Sequence, residues 1–314
     1  MAAIASSNAI WKLAASDLTS DLDLSQEELV RLLDLAVDMK RTPSRYARSL
    51  AGRYLSLLFE KPSLRTRLTF ELAIKQLGGD SVLFTGPIAE REPLKDVARN
   101  LARWTHGIVA RTFSQETIQG LADWSSVPVI NALSDLYHPC QALADVLTIK
   151  ERFGNLRGLK LAFIGDGNNV AHSLMLTCVR LGMTVAVATP EGYEPNPEVV
   201  RISRDLAERF GGALELGDDP IAAVCGAQAV YTDVWASMGQ EAETEKRLNI
   251  FRPYQVGPDL MMQAPSDAVF LHCLPAKRGQ ETTDDVIESP QSAVFDQAEN
   301  RLHSQKALLM MMLG

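Results

Sequence analysis

The sequence predicts an α/β fold with two doubly wound domains, each a mostly parallel sheet flanked by helices, and a functional cleft between them. The chain has 314 residues, which exceeds the size at which one hydrophobic core usually keeps growing. Short apolar strands alternate with helical stretches, which is typical of parallel sheets covered on both faces. A second alternating series starts after Gly154 and Gly158, so we place the domain boundary near Gly154.

Four strands are predicted in the first half of the chain. An amphipathic helix precedes them, from about residue 25 to residue 40, and Ser25 and Glu28 form a capping box at its start. The strands are predicted at residues 54–59, 82–84, 107–111 and 127–132. Leu68 and Leu72 lie at helical spacing after the first strand, and Gly78 ends that helix. Further helices are predicted at residues 93–104 and 141–153, and the second of these connects the domains.

The second half repeats the pattern. Strands are predicted at residues 160–165, 184–188, 229–232 and 269–272. A helical stretch starts at Ala298 and ends in the apolar residues 308–313, which we expect to pack on protein rather than lipid. No apolar run is long enough to span a bilayer.

Composition excludes several classes of function. The chain carries 39 acidic and 31 basic residues and a net charge of -8, which argues against broad binding to nucleic acid or to anionic membranes. The four cysteines have no close C-x-x-C spacing, so a reduced cytosolic chain is expected. His138 lies near Cys140 and His272 precedes Cys273, but the spacing does not call for a metal site, and none is predicted. Residues 1–20 resemble neither a secretory signal nor a transit peptide, so the cytoplasm is the expected location.

Residues 60–67 have the features of a phosphate-binding turn. A strand leads into a tight turn that opens a helix, where unpaired backbone N–H groups and a partial positive charge attract anions. Ser63 and Thr66 add hydroxyl donors, and Arg65 adds a planar fork of donors. The alternative is that Ser63 only caps the helix and the arginines are solvated, and this segment alone fits both interpretations.

Polar residues follow several of the predicted strands directly. In an open parallel sheet, ligands bind beyond the carboxyl ends of the strands. The residues at such positions are Arg65, Arg111, 138–141, 166–169, Asp233 and 273–275. A nicotinamide-dependent oxidoreductase is a distant alternative for residues 165–169, but Val170 stands where the third glycine of the dinucleotide fingerprint belongs.

Four of these segments together resemble the aspartate/ornithine carbamoyltransferase family, and most closely its ornithine carbamoyltransferases. They are the phosphate turn and residues 138–141, 233–241 and 272–275, and the resemblance runs from about Leu24 to Lys306. It implies a carbamoyl phosphate-binding domain at residues 1–153, on which a C-terminal helix of about residues 290–314 packs, and an ornithine-binding domain at residues 154–289. It also implies a homotrimer or a multiple of trimers, with no metal and no organic cofactor.

The resemblance also implies roles for individual residues, with carbamoyl phosphate and L-ornithine as substrates. The catalytic residues would be Arg65, His138 and Cys273. The carbamoyl phosphate site would consist of Ser63, Leu64, Arg65, Thr66, Arg111, His138, Gln141, Cys273, Leu274 and Arg301, and the ornithine site of Asn169, Asp233, Ser237 and Met238. From the residues alone, His138 and Cys273 also fit ordinary core positions.

Two departures from the family pattern keep a related amine open as the acceptor. Leu64 replaces a threonine that is common in the phosphate turn, and residues 86–93 lack the usual Gly-Arg-x-Glu-Ser pattern. N-acetylornithine and putrescine are therefore alternative acceptors, although Ser237 and Met238 favour ornithine. A further alternative is a binding or regulatory protein that kept the fold and lost catalysis, which the presence of Arg65, His138 and Cys273 disfavours.

Overall fold

The computed structural model describes residues 12–236 and 243–314, and two parallel sheets form its framework. The first sheet has the order β2-β1-β3-β4 and is parallel throughout. Its strands are β1 (Tyr54–Phe59), β2 (Asp80–Thr85), β3 (Gly107–Arg111) and β4 (Val129–Leu133). The helices of this part are α1 (Gln26–Arg41), α2 (Arg65–Gln76), α3 (Leu94–Trp104), α4 (Gln115–Trp124) and α5 (Pro139–Phe153).

The second sheet is also parallel and has the order β7-β6-β5-β8-β9. Its strands are β5 (Lys160–Ile164), β6 (Thr184–Ala188), β7 (Ala213–Gly217), β8 (Ala229–Thr232) and β9 (Val269–His272). The remaining helices are α6 (Asn169–Arg180), α7 (Pro197–Phe210), α8 (Pro220–Val224), α9 (Thr244–Phe251), α10 (Pro258–Met261), α11 (Asp284–Ile287) and α12 (Val294–Leu313). The predicted α/β class and the two parallel sheets flanked by helices are confirmed.

Local sequence signals account for several helix starts. The Ser25 side chain accepts a hydrogen bond from the Glu28 N–H, and Glu28 bonds back to the Ser25 backbone, so the predicted capping box is present. Pro139 occupies the first position of α5, where its missing N–H costs nothing and its φ angle suits a helix. Asn168 caps α6 by accepting from the Val170 and Ala171 N–H groups. Helices α5 and α6 therefore start directly beside the strand ends that carry polar residues.

Helix α12 is buried along most of its length and packs against α1, α2 and α5. Leu308 and Leu309 are fully buried in the main hydrophobic cluster. The same helix also buries the polar side chains of Gln297, Asn300 and Arg301. Helix α12 therefore brings a polar row as well as an apolar row into the interior, where buried polar groups need hydrogen-bond partners. Among the helices of the described chain, none is long and apolar enough to cross a membrane.

Helix α2 forms as its apolar spacing predicts, but the face that the rest of the chain covers is not the face that carries Leu68 and Leu72. Its buried residues are Thr66, Phe70, Ala73 and Ile74. Leu68 and Leu72 are 43% and 45% exposed, so the described chain covers this part of the apolar pattern only in part. Helical spacing shows that a helix forms, but it does not show which neighbour covers each side.

Candidate active site

The polar residues singled out in the sequence meet where strands of both sheets end. Arg65 follows β1, and Arg111 ends the neighbouring strand β3. In the second sheet, Asp166 lies just beyond β5 and Asp233 directly follows β8, which pairs with β5. Both pairs of strands lie where the strand order reverses direction, which is where α/β sheets open a crevice for ligands.

The structure shows the helix cap on which the alternative interpretation of residues 60–67 rests. The Ser63 hydroxyl accepts a hydrogen bond from the Thr66 N–H at 3.2 Å, so Ser63 does cap the helix. Arg65 is half-buried, and within the described chain its guanidinium makes no hydrogen bond. Burial lowers the pKa of Arg65, and the side chain of Cys273 acts on it electrostatically, which places the residue near the end of β9. Leu64, by contrast, is 69% exposed at the start of α2.

Three arginines share this region without a matching number of anions. Burial, together with the positive charges of Arg301 and Arg65, lowers the pKa of Arg111 to about 10. The Arg301 guanidinium, from α12, donates to Gln141 Oε1 at 2.5 Å and to Thr66 Oγ1 at 2.8 Å. The Nε atoms of Arg111 and Arg301 are buried without a partner in the described chain. Crowded, desolvated cations favour a bound anion, so this cluster is suited to a phosphate group.

His138 lies at the N-terminus of α5 and faces the same cluster. Its backbone N–H donates to Ser173 Oγ at 2.9 Å, and the Ser173 hydroxyl in turn donates to the buried carboxylate of Asp21. Burial, then the charges of Arg301 and Arg111, hold the pKa of His138 well below its usual range, so the ring is neutral near pH 7. Its Nδ1 atom has no partner among the described residues. A neutral imidazole can donate one N–H to a polarised oxygen.

Asp233 and Cys273 form a hydrogen-bonded pair at the ends of β8 and β9. The thiol donates to Asp233 Oδ1 at 2.9 Å, while Asn168 Nδ2 donates to Oδ2 at 2.8 Å. The Val234 N–H also donates to Oδ1. Burial and the negative charge of Asp233 raise the pKa of Cys273 well above its usual range. The thiol is therefore protonated near pH 7 and acts as a hydrogen-bond donor rather than as a thiolate.

Leu274, the next residue, has an unusual backbone conformation. Its φ angle of 56° lies in the left-handed region, which non-glycine residues seldom adopt. The Leu274 N–H donates to His272 Nδ1 at 2.8 Å, and His272 Nε2 contacts Glu281 Oε1 at 3.1 Å. The His272 and Glu281 side chains are fully buried. These buried contacts support the turn after β9 in which Leu274 lies.

Asp233, His272 and Cys273 are also the one group in the described chain whose potential ligand atoms lie close together, within 4.8 Å of one another. Both ring nitrogens of His272 already make hydrogen bonds, and the Asp233 carboxylate accepts from the thiol. The atoms that a metal would need are therefore engaged in the hydrogen-bond network.

A cavity of about 830 Å³ opens beside this network. Asn168 and Asn169 line it, together with Lys61 and Phe113 from the first sheet's side. The Asn169 side chain donates to the Ser134 carbonyl, so it bridges the two halves. Ser237 and Met238, which the family resemblance assigns to ornithine, lie outside the described residues.

Sequence reasoning placed Asp166 and Asn168 after a strand but gave them no individual role, and it missed Arg247. Asn168 bonds directly to Asp233, and Asp166 forms a buried ion pair with Arg247 at 2.9 Å. Burial raises the pKa of Asp166 to about 6, although the Arg247 charge opposes this shift. The available signal was position, because Asp166 and Asn168 follow β5 as directly as Asn169 does. Arg247 had no such positional signal in the sequence, because it lies within α9 and far from any strand end.

Two family models match the chain. The model described as the carbamoyl-P binding domain of aspartate/ornithine carbamoyltransferase matches residues 16–151. The model described as the Asp/Orn binding domain of the same family matches residues 157–312.

Full-length relatives and solved structures agree with these matches. The chain is 50% identical over 310 residues to the ornithine carbamoyltransferase of Thermococcus kodakarensis, covering 97% of this chain and 98% of that protein. It is 51% identical over 307 residues to the ornithine carbamoyltransferase of Symbiobacterium thermophilum, with 96% and 99% covered. The solved ornithine carbamoyltransferase of Pyrococcus furiosus is similar with a TM-score of 0.94 and 49% identity, over 96% of this chain and 98% of that one.

Proposed function

The chain belongs to the aspartate/ornithine carbamoyltransferase family, and we propose that it transfers the carbamoyl group of carbamoyl phosphate to the side-chain amine of L-ornithine. The products are L-citrulline and phosphate. One observation carries the proposal within the structure: the buried arginine cluster lies next to the Asp233–Cys273 pair, so an anion site and an amine site share one cleft. The relatives named above, at about half identity over nearly the full length, carry the same reaction in their names.

Carbamoyl phosphate is proposed to bind on the side of the first sheet. Its phosphate lies on the backbone and hydroxyls of residues 63–66 and on Arg111. The carbonyl oxygen accepts from Arg65, Thr66 and His138, so negative charge that develops there during attack is stabilised. Gln141 holds the carbamoyl NH₂ group, and Arg301 completes the site by bonding both Gln141 and Thr66.

Ornithine is proposed to bind on the side of the second sheet. Asp233 binds the positively charged α-amino group, and Asn168, which lines the cavity, and Cys273 hold its carboxylate in place. Asn169, Ser237 and Met238 receive the α-carboxylate. The Cys273 side chain and the Leu274 carbonyl orient the reacting amine.

The chemistry follows from these positions. The reacting amine has an unperturbed pKa of about 10.4, so it must lose a proton before its lone pair attacks the carbamoyl carbon. The C–N bond forms, the carbonyl oxygen becomes negative, and the C–O bond to phosphate then breaks. Phosphate is already a good leaving group and can accept the amine proton, so the step needs no cofactor.

The substrate assignment is tested with three acceptors under identical conditions. Citrulline formation from L-ornithine is expected to have a higher kcat/KM than carbamoylation of N-acetylornithine or putrescine, with one phosphate released per carbamoyl group transferred. A higher kcat/KM for either of the other amines would overturn the choice of ornithine. An absence of carbamoyl transfer to all three would overturn the proposed reaction.

We propose the domain limits given above and a cytoplasmic location. The two family models meet between residues 151 and 157, near Gly154. The contacts of α12 with α1, α2 and α5 support a C-terminal helix that packs on the first domain. All four cysteines are free thiols, which suits a reducing compartment. The relative from Pyrococcus furiosus is named anabolic, which supports a role in arginine biosynthesis.

We also propose that the first domain carries the subunit interface of a homotrimer. Strand β2 pairs only with β1 among the described strands, so one edge of the sheet is open. Val82 on this strand is 65% exposed, and Phe84 lines a groove of about 470 Å³ together with Trp104, which is 69% exposed. The exposed Leu68 and Leu72 lie on α2, which packs beside β2. Apolar surface at an open sheet edge is typical of a contact with another chain.

Replacing Val82 with glutamate is expected to dissociate the trimer, because a charge buried in an apolar contact lacks a partner. Light scattering coupled to size-exclusion chromatography measures the mass. Met262→Glu is the matched control, because Met262 is 71% exposed on the second domain. A wild-type monomer, or a Val82→Glu variant that stays trimeric, would contradict the proposed interface.

A further inference from the structure

Asp145 is a fully buried carboxylate that the reaction outlined above does not use. It lies on α5, one turn beyond Gln141, and has no exposed surface. Its Oδ1 atom accepts two hydrogen bonds, from Gln141 Nε2 at 2.7 Å and from Gln297 Nε2 at 2.6 Å. One carboxylate oxygen therefore holds the amide nitrogens of two glutamines, one on α5 and the other on α12.

The opposite ends of both amides also have defined partners. Gln141 Oε1 accepts from the Arg301 guanidinium at 2.5 Å, and Gln297 Oε1 accepts from the His272 N–H at 2.9 Å. A guanidinium and a backbone N–H can only donate, and Asp145 Oδ1 accepts from both amides. Neither amide can be turned over without placing donor against donor. The orientation of each glutamine is therefore fixed by its chemistry at both ends.

The orientation of Gln141 decides whether its carbonyl oxygen or its NH₂ group meets the donor substrate, and this step rests on the proposed function. A carbamoyl group carries an NH₂ that donates hydrogen bonds, whereas an acetyl group carries a methyl that cannot. Only a carbonyl oxygen can accept from that NH₂. The NH₂ end of Gln141 would instead meet it as donor against donor.

We propose that Asp145 is a positioning residue that holds the amide nitrogen of Gln141, so that the Gln141 carbonyl oxygen faces the donor site and selects a carbamoyl over an acetyl group. The same carboxylate holds Gln297, whose oxygen anchors the backbone of β9 next to Cys273. Asp145 thus connects Gln141, at the proposed donor site, with Gln297, which holds the end of the strand that precedes the Cys273 thiol. It touches no substrate.

The protonation state of Asp145 does not change this geometry. Burial raises the pKa of Asp145 to about 7, and its bonds to Gln141 and Gln297 oppose the shift. Arg301 also opposes it, through its charge. Asp145 Oδ2 has no partner in the described chain, so it is the atom available to carry a proton. Oδ1 remains an acceptor in either state.

The test compares the binding of carbamoyl phosphate, acetyl phosphate and inorganic phosphate to the full-length protein and two variants. Asp145→Ala removes the acceptor and leaves the Gln141 amide nitrogen unpaired. The preference for carbamoyl over acetyl phosphate, as a ratio of Kd values, is expected to fall about tenfold or more, the cost of one disrupted buried hydrogen bond. The Kd for inorganic phosphate is expected to change by less than about threefold, because the phosphate turn keeps its own donors.

Asp145→Asn is the matched control, because its Oδ1 can still accept from both glutamines. It is expected to keep the wild-type ratio within about threefold. Should Asp145→Ala fail to fold, Asp145→Ser replaces it, since a hydroxyl is too short to reach both amides and the same loss of preference is expected.

If Asp145→Ala weakens the binding of all three ligands equally, Asp145 only stabilises the fold and the proposal is overturned. The same loss of preference in Asp145→Asn would also overturn it, because the acceptor is retained there. The binding ratio is measured without turnover. A protein that binds carbamoyl phosphate selectively but does not carbamoylate ornithine would refute the proposed function and leave this inference standing.

Discussion

Replacing Arg65 with alanine is expected to lower kcat by at least about two orders of magnitude, the usual cost of removing a donor that stabilises a developing oxyanion. Arg65 is half-buried at the start of α2, and its guanidinium makes no hydrogen bond within the described chain. Its neighbours include other cations rather than a carboxylate partner, since its charge lowers the pKa values of Arg111 and Arg301. The side chain is therefore held ready for an external acceptor.

Steady-state rates of citrulline formation at saturating substrates measure this effect. Arg204→Ala is a matched control, because Arg204 is exposed on α7 and far along the chain from either strand pair. Arg65→Lys should recover only part of the loss, since an ammonium keeps the charge but not the planar fork. Near-normal turnover in Arg65→Ala would refute the role given to Arg65.

Most strands could be placed from the sequence because their apolar runs match their burial. Strands β3, β6, β8 and β9 start and end where the apolar runs do. Strand β7 was not predicted; it lies at one edge of its sheet and has no fully buried residue. A strand that buries so little needs few apolar residues, so its sequence resembles a loop.

Contacts between distant residues could not be predicted from one sequence. Arg301 is 160 residues from Gln141 and 235 residues from Thr66, yet it bonds both. The sequence alone gives no reason to single out this arginine within a long helix, and only the family resemblance assigned it. Asp145 was missed altogether for the same reason. Its importance lies in partners on α12, which no local pattern reveals.

Positions at strand ends were more informative than residue types. Arg65, Arg111, Asp233 and Cys273 were all singled out because they end or follow strands. The charge of Arg65 and the charges of Asp233 and Cys273 all act on Arg111, so the structure brings the four side chains close together. The reason is geometric, because the carboxyl ends of parallel strands share one edge of the sheet. Asn168 shows the limit of this rule, since it was named only as part of a loop although it holds Asp233.

Asp233→Asn is expected to lower kcat/KM for ornithine by at least about thirtyfold, the lower range for removing one partner of a buried charge pair. The variant keeps the shape of the side chain but removes the negative charge proposed to bind the α-amino group. It also weakens the acceptor of the Cys273 thiol. The Kd for carbamoyl phosphate should not weaken, because Asp233 acts on Arg111 only by offsetting its positive charge.

The decisive comparison uses 5-aminopentanoate, which has the reacting amine and the carboxylate but no α-amino group. If Asp233 binds that group, Asp233→Asn should reduce kcat/KM far less for this acceptor than for ornithine, since the lost contact is absent from the start. Asp218→Asn is the control, because Asp218 is an exposed acid that follows β7 of the same sheet. An equal loss for both acceptors would mean that Asp233 acts only through Cys273 and Asn168, and that the α-amino group binds elsewhere.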